Sequence, residues 1–415
     1  MPRPSGIMEE PGLPTASSPE TVSGIMHLSK TSTIPPLLSL ALSLVLSAGW
    51  SQSASGLDHV TIRRDGQTTS VEGRVLVTTE DGGMLVQARD GVRWAVQPDE
   101  LVERTTDDVA FVPLSSEEMA ERMLGELPSG FQVHSTANYL ILYNTSRAYA
   151  EWCGSLFERL YRAFTSFWTY KDVELAEPEF PLVAIVFADK RSYVDFSRAE
   201  VGDAVEATIG YYSFRSNWMV MYDLTGIESI NRYGGGRRGS SQIDEFLRRP
   251  DAPRTVATIV HEATHQIAFN RGLHARYSDC PLWFSEGVAQ FFETPDLRSS
   301  KGWRTVGRVN QVRLAQFRDY LRRRPADSLA TLIGDDTRVK STETSQDAYA
   351  EAWALTYFLL KRHPQQYVEY LKLLAAKQPL LWDDPETRLA EFKQVFGEDL
   401  QKLDTELVRT MARQR

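Results

Sequence analysis

An α+β fold is predicted, with a small all-β unit in front and a mostly helical part behind, and three patterns predict it. Residues 57 to 106 alternate apolar and polar side chains between Asp-Gly turns. Residues 138 to 189 read as strand, long amphipathic helix and strand, and from about 303 to 413 the apolar spacing is helical throughout. At 415 residues, 42% hydrophobic and 24% charged, the chain is ordinary globular material with length for two domains. A net charge of −9 argues against a nucleic-acid partner, and no basic patch interleaved with aromatics appears.

The chain opens, over residues 1–54, with an extended N-terminus and a targeting signal. Lys30 precedes IPPLLSLALSLVLSA, residues 34–48, an apolar run of 15. That is short of the roughly 20 residues a membrane span needs, and small residues come after it, so it reads as a secretory signal peptide. Translation from Met26 would give it a better basic start, with cleavage after Ala48 or Ala54; an uncleaved signal anchor is the alternative. An extracytoplasmic location is expected: periplasm, envelope or medium.

Residues 57–106 (HVTIRRDG, SVEGRVLVTTEDGG, MLVQARDG, VRWAVQP) carry four or five short strands with hairpin turns. A small SH3-like barrel, closed to protect its edges, is expected. It could bind an envelope ligand, such as a peptide or wall polymer, or dock on the rest of the chain. Residues 107–130 contain a linker helix, LSSEEMAERMLGEL, with serine caps and acids in its first turn. In residues 131–300 come NYLILYNTS as a strand, YAEWCGSLFERLYRAFTSFW as a helix and FPLVAIVFAD as a buried strand. GYYSFRSNWMVMYD (210–223) reads as a hairpin, either at a cleft edge or as an interior pair. The Gly-rich run Arg232 to Ser241 lacks the setting of a phosphate loop and reads as a flexible loop. Asn144-Thr145-Ser146 is a glycosylation sequon in form.

The chemistry concentrates in His261-Glu262-Ala-Thr-His265. The surrounding segment, 251–272, starts at Asp251 and Pro253 and stops at Gly272, as an amphipathic helix does. Histidines at i and i+4 lie about 40° apart around a helix, so both imidazoles can reach one Zn²⁺. Glu262, next to the first, then lies beside the metal as a general base. A third ligand is required, and Glu286, in PLWFSEGVAQFFE 21 positions past His265, supplies it from a second short helix ended by Thr294-Pro295. The alternative reading has core or surface histidines and a helix-capping acid.

HEATHQIAFN followed by PLWFSEGVAQFFE resembles the gluzincin superfamily of zinc metallopeptidases. The stretch from about Phe131 to His363 is similar to its peptidase-MA-like branch and, within it, to a large and poorly characterised bacterial family. The resemblance implies His261, His265 and Glu286 as zinc ligands, Glu262 as base and later proton donor, and a peptide or protein substrate. It also implies an oxyanion donor, for which Tyr349 in AYAEAWALTYFLL is the candidate, 63 positions after Glu286; the other reading makes it a packed aromatic near Trp353. In the relatives a carboxylate often sits where this chain has Gln290, and Glu293 is an alternative acceptor for a ligating histidine.

The metzincin pattern fails, because Ala268 and Arg271 stand where it needs glycine and histidine, and His274 falls three positions late. His274 is read as a loop histidine, and His59, His134 and His363 as structural. No Gly-x-Met-Glu-Asn strand is present, which favours endopeptidase over exopeptidase action. The competing functional class is a non-catalytic envelope scaffold with a structural metal. Export makes a Cys153–Cys280 disulfide reasonable, two separate thiols being the alternative. The helical part, 301–415, is interrupted at Arg324-Pro325 and 382–385; the triplet Arg322-Arg323-Arg324 reads as a solvated helix end.

Overall fold

The computed structural model describes residues 56–225, 240–297 and 303–415. The apolar run 34–48 and most of the Gly-rich run lie outside them. The first sheet contains β1 (Gly56–Arg64), β2 (Gln67–Thr78), β3 (Met84–Ala88), β4 (Arg93–Val96) and β5 (Leu101–Ala110), in the order β4-β3-β2-β1-β5. Asp65 and Gly66 both adopt positive φ, 51° and 77°, as the two-residue turn between β1 and β2 demands. Val60, Ile62, Val71, Met84, Val86 and Val96 form its small core.

The expected closed barrel is not what forms. The sheet is open, with β4 and β5 as its two edges. At four residues, β4 is much shorter than the ten-residue β5, and its main chain turns to a much later segment, where Arg93 N donates to Arg215 O at 2.8 Å.

Helix α1 (Ser116–Glu126) is the linker helix, closed at its start by a capping box between Ser115 and Glu118. The second sheet contains β6 (Gln132–Ser135), β7 (Tyr139–Tyr143), β8 (Leu182–Phe187), β9 (Gly210–Tyr212) and β10 (Met219–Tyr222), ordered β6-β7-β8-β10-β9. Interior strands β7, β8 and β10 run parallel, and the edges β6 and β9 are antiparallel. YLILY and LVAIVF are buried at every position, as parallel strands covered on both faces should be. The crossovers supply the cover: α2 (Arg147–Thr169) on one face, and α3 (Lys190–Val201) with α1 on the other. The hairpin read from the sequence is thus β9–β10, with β9 outermost.

After α4 (Ser240–Arg248) come α5 (Ala252–Asn270) and α6 (Leu282–Phe292), then α7 (Gln311–Tyr320), α8 (Ser328–Gly334), α9 (Thr337–Lys340), α10 (Ser345–Arg362), α11 (Pro364–Ala375), α12 (Pro385–Phe396) and α13 (Leu400–Ala412). One apolar core runs from the α2 face of the second sheet through α5, α6 and α10 to α13. Within it α10 is buried at thirteen of eighteen positions. Among the described residues no helix is long and apolar enough to cross a membrane.

Two local readings change. Arg324 is not a solvated helix end: its guanidinium bonds Glu351 at 2.6 Å and Asp404 at 2.5 Å, tying the turn after α7 to α10 and α13. Cys153, inside α2, and Cys280, before α6, are free thiols and form no disulfide. The sequon residues are used structurally: Asn144 accepts from Ala188 N at 2.6 Å, Thr145 bonds Asp223, and Ser146 caps α2.

Candidate metal centre

Helix α5 has proline in its first turn and is followed by Gly272 at φ 74°, a conformation only glycine takes without strain. From Thr258 to Phe269 every residue is buried, so the polar residues of the motif face protein rather than solvent. Ten of the eleven residues of α6 are buried, Glu286 among them. At Gly287 a Cβ would stand 2.0 Å from Thr356 Oγ1 and 2.9 Å from Ala352 O. The glycine after Glu286 therefore lets α10 close on α6, which brings Tyr349 toward the carboxylate.

Three donor side chains converge between these helices. His261 Nε2 lies 3.1 Å from His265 Nε2 and 3.1 Å from Glu286 Oε2, and His265 Nε2 lies 3.6 Å from Glu286 Oε1. Tetrahedral coordination with bonds of about 2.0–2.1 Å sets donor separations of about 3.3 Å, close to these values. All three side chains are at most 2% exposed. Among the described residues the imidazoles are Glu286's only ion-pair partners; no lysine or arginine neutralises it. The only countercharge within reach of this buried carboxylate is a proton carried by the imidazoles, and a metal held by the three side chains would supply that charge instead. The donor set fits a metal ion.

The electrostatics follow from burial and crowding. Burial alone would lower the His261 imidazole, but Glu286, Glu293 and Glu262 outweigh it and hold its pKa well above the ordinary value. Burial likewise opposes ionisation of Glu286, yet the two histidines draw its carboxyl down to about 2. Glu262 moves the other way: burial first, with Glu286 adding repulsion, pushes it up to about 8. Its Oε2 accepts from the main-chain N–H of Tyr212 at 3.0 Å, and Oε1 has no hydrogen-bond partner among the described residues. Beside it Ile209, Gly210, Met219, Met221, Thr258 and Ile259 line a small apolar crevice.

Around the donors the arrangement departs from the simplest sequence expectation. Gln290, one turn after Glu286, is fully buried, and neither of its amide atoms has a hydrogen-bond partner among the described residues. Glu293 stands behind the first histidine instead, its Oε1 3.5 Å from His261 Nδ1. Its Oε2 accepts from Asn310 Nδ2 at 3.0 Å and lies 3.5 Å from Arg313 Nε. Asn310 caps α7 and Arg313 sits in its first turn, so that helix fixes the carboxylate.

Tyr349 is 5% exposed, and its ring lies under the Arg313 guanidinium, 5.7 Å away, in the same buried core as Trp353. Burial, and then the charge of Glu286, hold its hydroxyl well above the ordinary range, so it is protonated and a donor at neutral pH. His274 lies in the loop between α5 and α6, as expected, but is buried there between Phe269 and Phe284, at 5.2 and 5.5 Å, and burial lowers its pKa to about 3. Its nitrogens are not among the converging donors. His59 pairs with Asp107 in the first sheet, and His363 sits at the start of α11.

Sequence reasoning missed Arg313, Asn310 and the Tyr212 amide. The first two lie on a helix of low amphipathic contrast, and a main-chain donor leaves no mark in side-chain pattern. Residues 255–381 match the model of a family described as a protein of unknown function, DUF1570. That stretch includes the three donors, Glu262, Glu293 and Tyr349. No curated protein matches the chain.

Proposed function

We propose that the protein is an exported zinc-dependent metallopeptidase of gluzincin type, acting as an endopeptidase. One observation carries the reading: a buried His261–His265–Glu286 donor set with a fourth carboxylate, Glu262, beside it and held by a main-chain donor. A set of two histidines and one glutamate is characteristic of catalytic zinc sites, which keep a fourth position open. When bound, zinc supplies a Lewis acid that polarises the scissile carbonyl and makes water acidic near neutral pH. Glu262 takes the proton from the attacking water. Held beside the donor set by the Tyr212 amide, it is placed to carry the proton and pass it to the leaving amine. Tyr349 donates to the oxygen on which negative charge develops. Glu293 holds the His261 ring through Nδ1. The apolar run 34–48 supports export, which places the substrate outside the cytoplasm.

A second reading is an envelope scaffold with a structural metal, and burial favours it: the donors, Glu262 and Tyr349 are all 5% exposed or less. Against it stands Glu262, for which a structural metal has no use. Profiling a mixed peptide library with the zinc-loaded full chain tests the first reading. Internal cleavage that a chelator stops and zinc restores is expected. A protein that holds one zinc and cleaves no peptide leaves the scaffold.

A further inference from the structure

The Glu262 carboxylate has a single hydrogen-bond donor among the described residues, the Tyr212 N–H, and that donor sits on β9, a three-residue edge strand. Edge strands with one bonded neighbour are the least constrained part of a sheet. Tyr212 stacks its ring on Phe269 of α5, 5.8 Å away, and its hydroxyl donates to Asn217 Oδ1 at 2.7 Å, so its main chain is held on one side by α5 and on the other by the β9–β10 turn, residues 213–218. The turn closes on itself through Ser213 N to Trp218 O and Asn217 N to Ser213 O, each 2.9 Å, with Asn217 at φ 67°.

Two bodies grip this turn. From α5, Gln266 Nε2 donates to Asn217 O at 2.9 Å, and Asn270 exchanges amide hydrogen bonds with Asn217 at 2.8 Å. From the other side comes Arg276, in the segment between α5 and α6 and only 5% exposed. Its Nη1 donates to Phe214 O at 3.1 Å, and its Nη2 to Gly91 O of the first sheet at 3.0 Å. Arg93 of β4 completes the joint: its N donates to Arg215 O at 2.8 Å and its Nη1 to Arg276 O at 2.8 Å. The Arg215 guanidinium stacks over Trp94, 4.7 Å from the ring centre.

Among the described residues neither Arg93 nor Arg276 has a carboxylate within ion-pair distance; both guanidinium groups bond main-chain carbonyls. Burying a guanidinium without a counter-charge is expensive, and a plain apolar contact would join two segments at less cost. What the planar fork alone provides is fixed geometry for several carbonyls at once. Here those carbonyls belong to the first sheet and to the turn behind the Glu262 donor.

We propose that Arg276, backed by Arg93, is a positioning residue for Glu262, acting through the β9–β10 turn, so that the N-terminal sheet is a working part of the active site. This rests on the peptidase reading for its effect on rate, but not for its effect on the Tyr212 amide. A misplacement of about 1 Å at a reacting group can cost about a hundredfold in rate. Loss of the clamp moves the base and leaves the metal donors in place.

The test uses the metal-loaded full chain with Arg276→Gln and Arg276→Lys. Hydrogen exchange at residues 209–214 should quicken at least tenfold in Arg276→Gln, while exchange across α5 and zinc content stay unchanged. On any peptide the wild type cleaves, kcat should fall about 10- to 100-fold with KM within about twofold, and Arg276→Lys should recover part of both losses. Unchanged exchange at 209–214 in Arg276→Gln overturns the proposal, whether or not any peptide is cleaved. If Arg276→Gln unfolds, Arg93→Gln reads the same segment: faster exchange there supports the clamp, and wild-type exchange overturns it. Absence of cleavage by the wild type, with the exchange effect intact, refutes the peptidase reading alone.

Discussion

Glu293→Gln is the substitution that most sharply separates the two candidates for holding His261. The glutamine keeps the shape of the side chain and one acceptor oxygen, but removes a buried charge that faces three donors: His261 Nδ1 and Arg313 Nε at 3.5 Å and Asn310 Nδ2 at 3.0 Å. An amide has one oxygen for these three donors and turns its own N–H₂ toward at least one of them. Loss of such an outer carboxylate typically weakens metal binding 10- to 100-fold, about 1.4–2.7 kcal/mol. Gln290→Leu is the control. Both amide atoms of Gln290 are buried with no hydrogen-bond partner among the described residues, so this change deletes no bond and removes a desolvated polar group worth about 1–3 kcal/mol. It should leave zinc affinity within about twofold and leave stability equal or higher. Competition against a chromogenic chelator measures both variants. Weaker zinc binding in Gln290→Leu than in Glu293→Gln would refute the assignment of Glu293 behind His261.

Gly287→Ala should lower the thermal midpoint and cost about 1–3 kcal/mol, because the added methyl meets Thr356 Oγ1 at 2.0 Å and Ala352 O at 2.9 Å; zinc affinity should fall with it, since Glu286 is the adjacent residue. Zinc at a hundred times its dissociation constant should stabilise the chain by about 2.7 kcal/mol, and Glu286→Ala should abolish that dependence in a thermal scan. Asp58 accepts from Val75 N, Thr106 and Arg104, and although burial opposes ionisation these bonds hold its carboxyl below 3.8. The unfolded chain therefore binds this proton more readily, and the stability Asp58 gives is present above about pH 4 and is lost as pH falls through the depressed value. Asp58→Asn should flatten the acid limb of the unfolding curve of the first sheet, monitored by exchange at β1 and β2.

The parts of the molecule that could be read from the chain are those where the pattern is local. His261 and His265 share a helix face by spacing alone, Pro253 and Gly272 punctuate that helix, and YLILY and LVAIVF announce strands covered on both sides. The convergence of Glu286 on the histidines follows from the motif once two helices are assumed. Sheet closure was not legible, because it depends on where the edge of β4 finds its partner, and that partner is Arg215, more than a hundred residues later. The same limit hid Arg324, which looked solvated beside Arg322 and Arg323 but meets Glu351 and Asp404 from two other helices. Glu293 over Gln290 was undecidable for a related reason: the choice is made by Asn310 and Arg313 on α7. The Tyr212 amide was invisible because every residue except proline has one.

The peptidase reading turns on Glu262 performing chemistry beside a zinc ion held by His261, His265 and Glu286. The decisive quantity is the initial rate of peptide-bond cleavage by zinc-loaded wild type and by zinc-loaded Glu262→Gln, each carrying one equivalent of metal. Cleavage by the wild type is expected, with a loss of at least about a hundredfold in the variant, the scale of general acid–base catalysis. Equal rates in the two proteins, both with full zinc, would remove Glu262 from the chemistry and with it the peptidase mechanism.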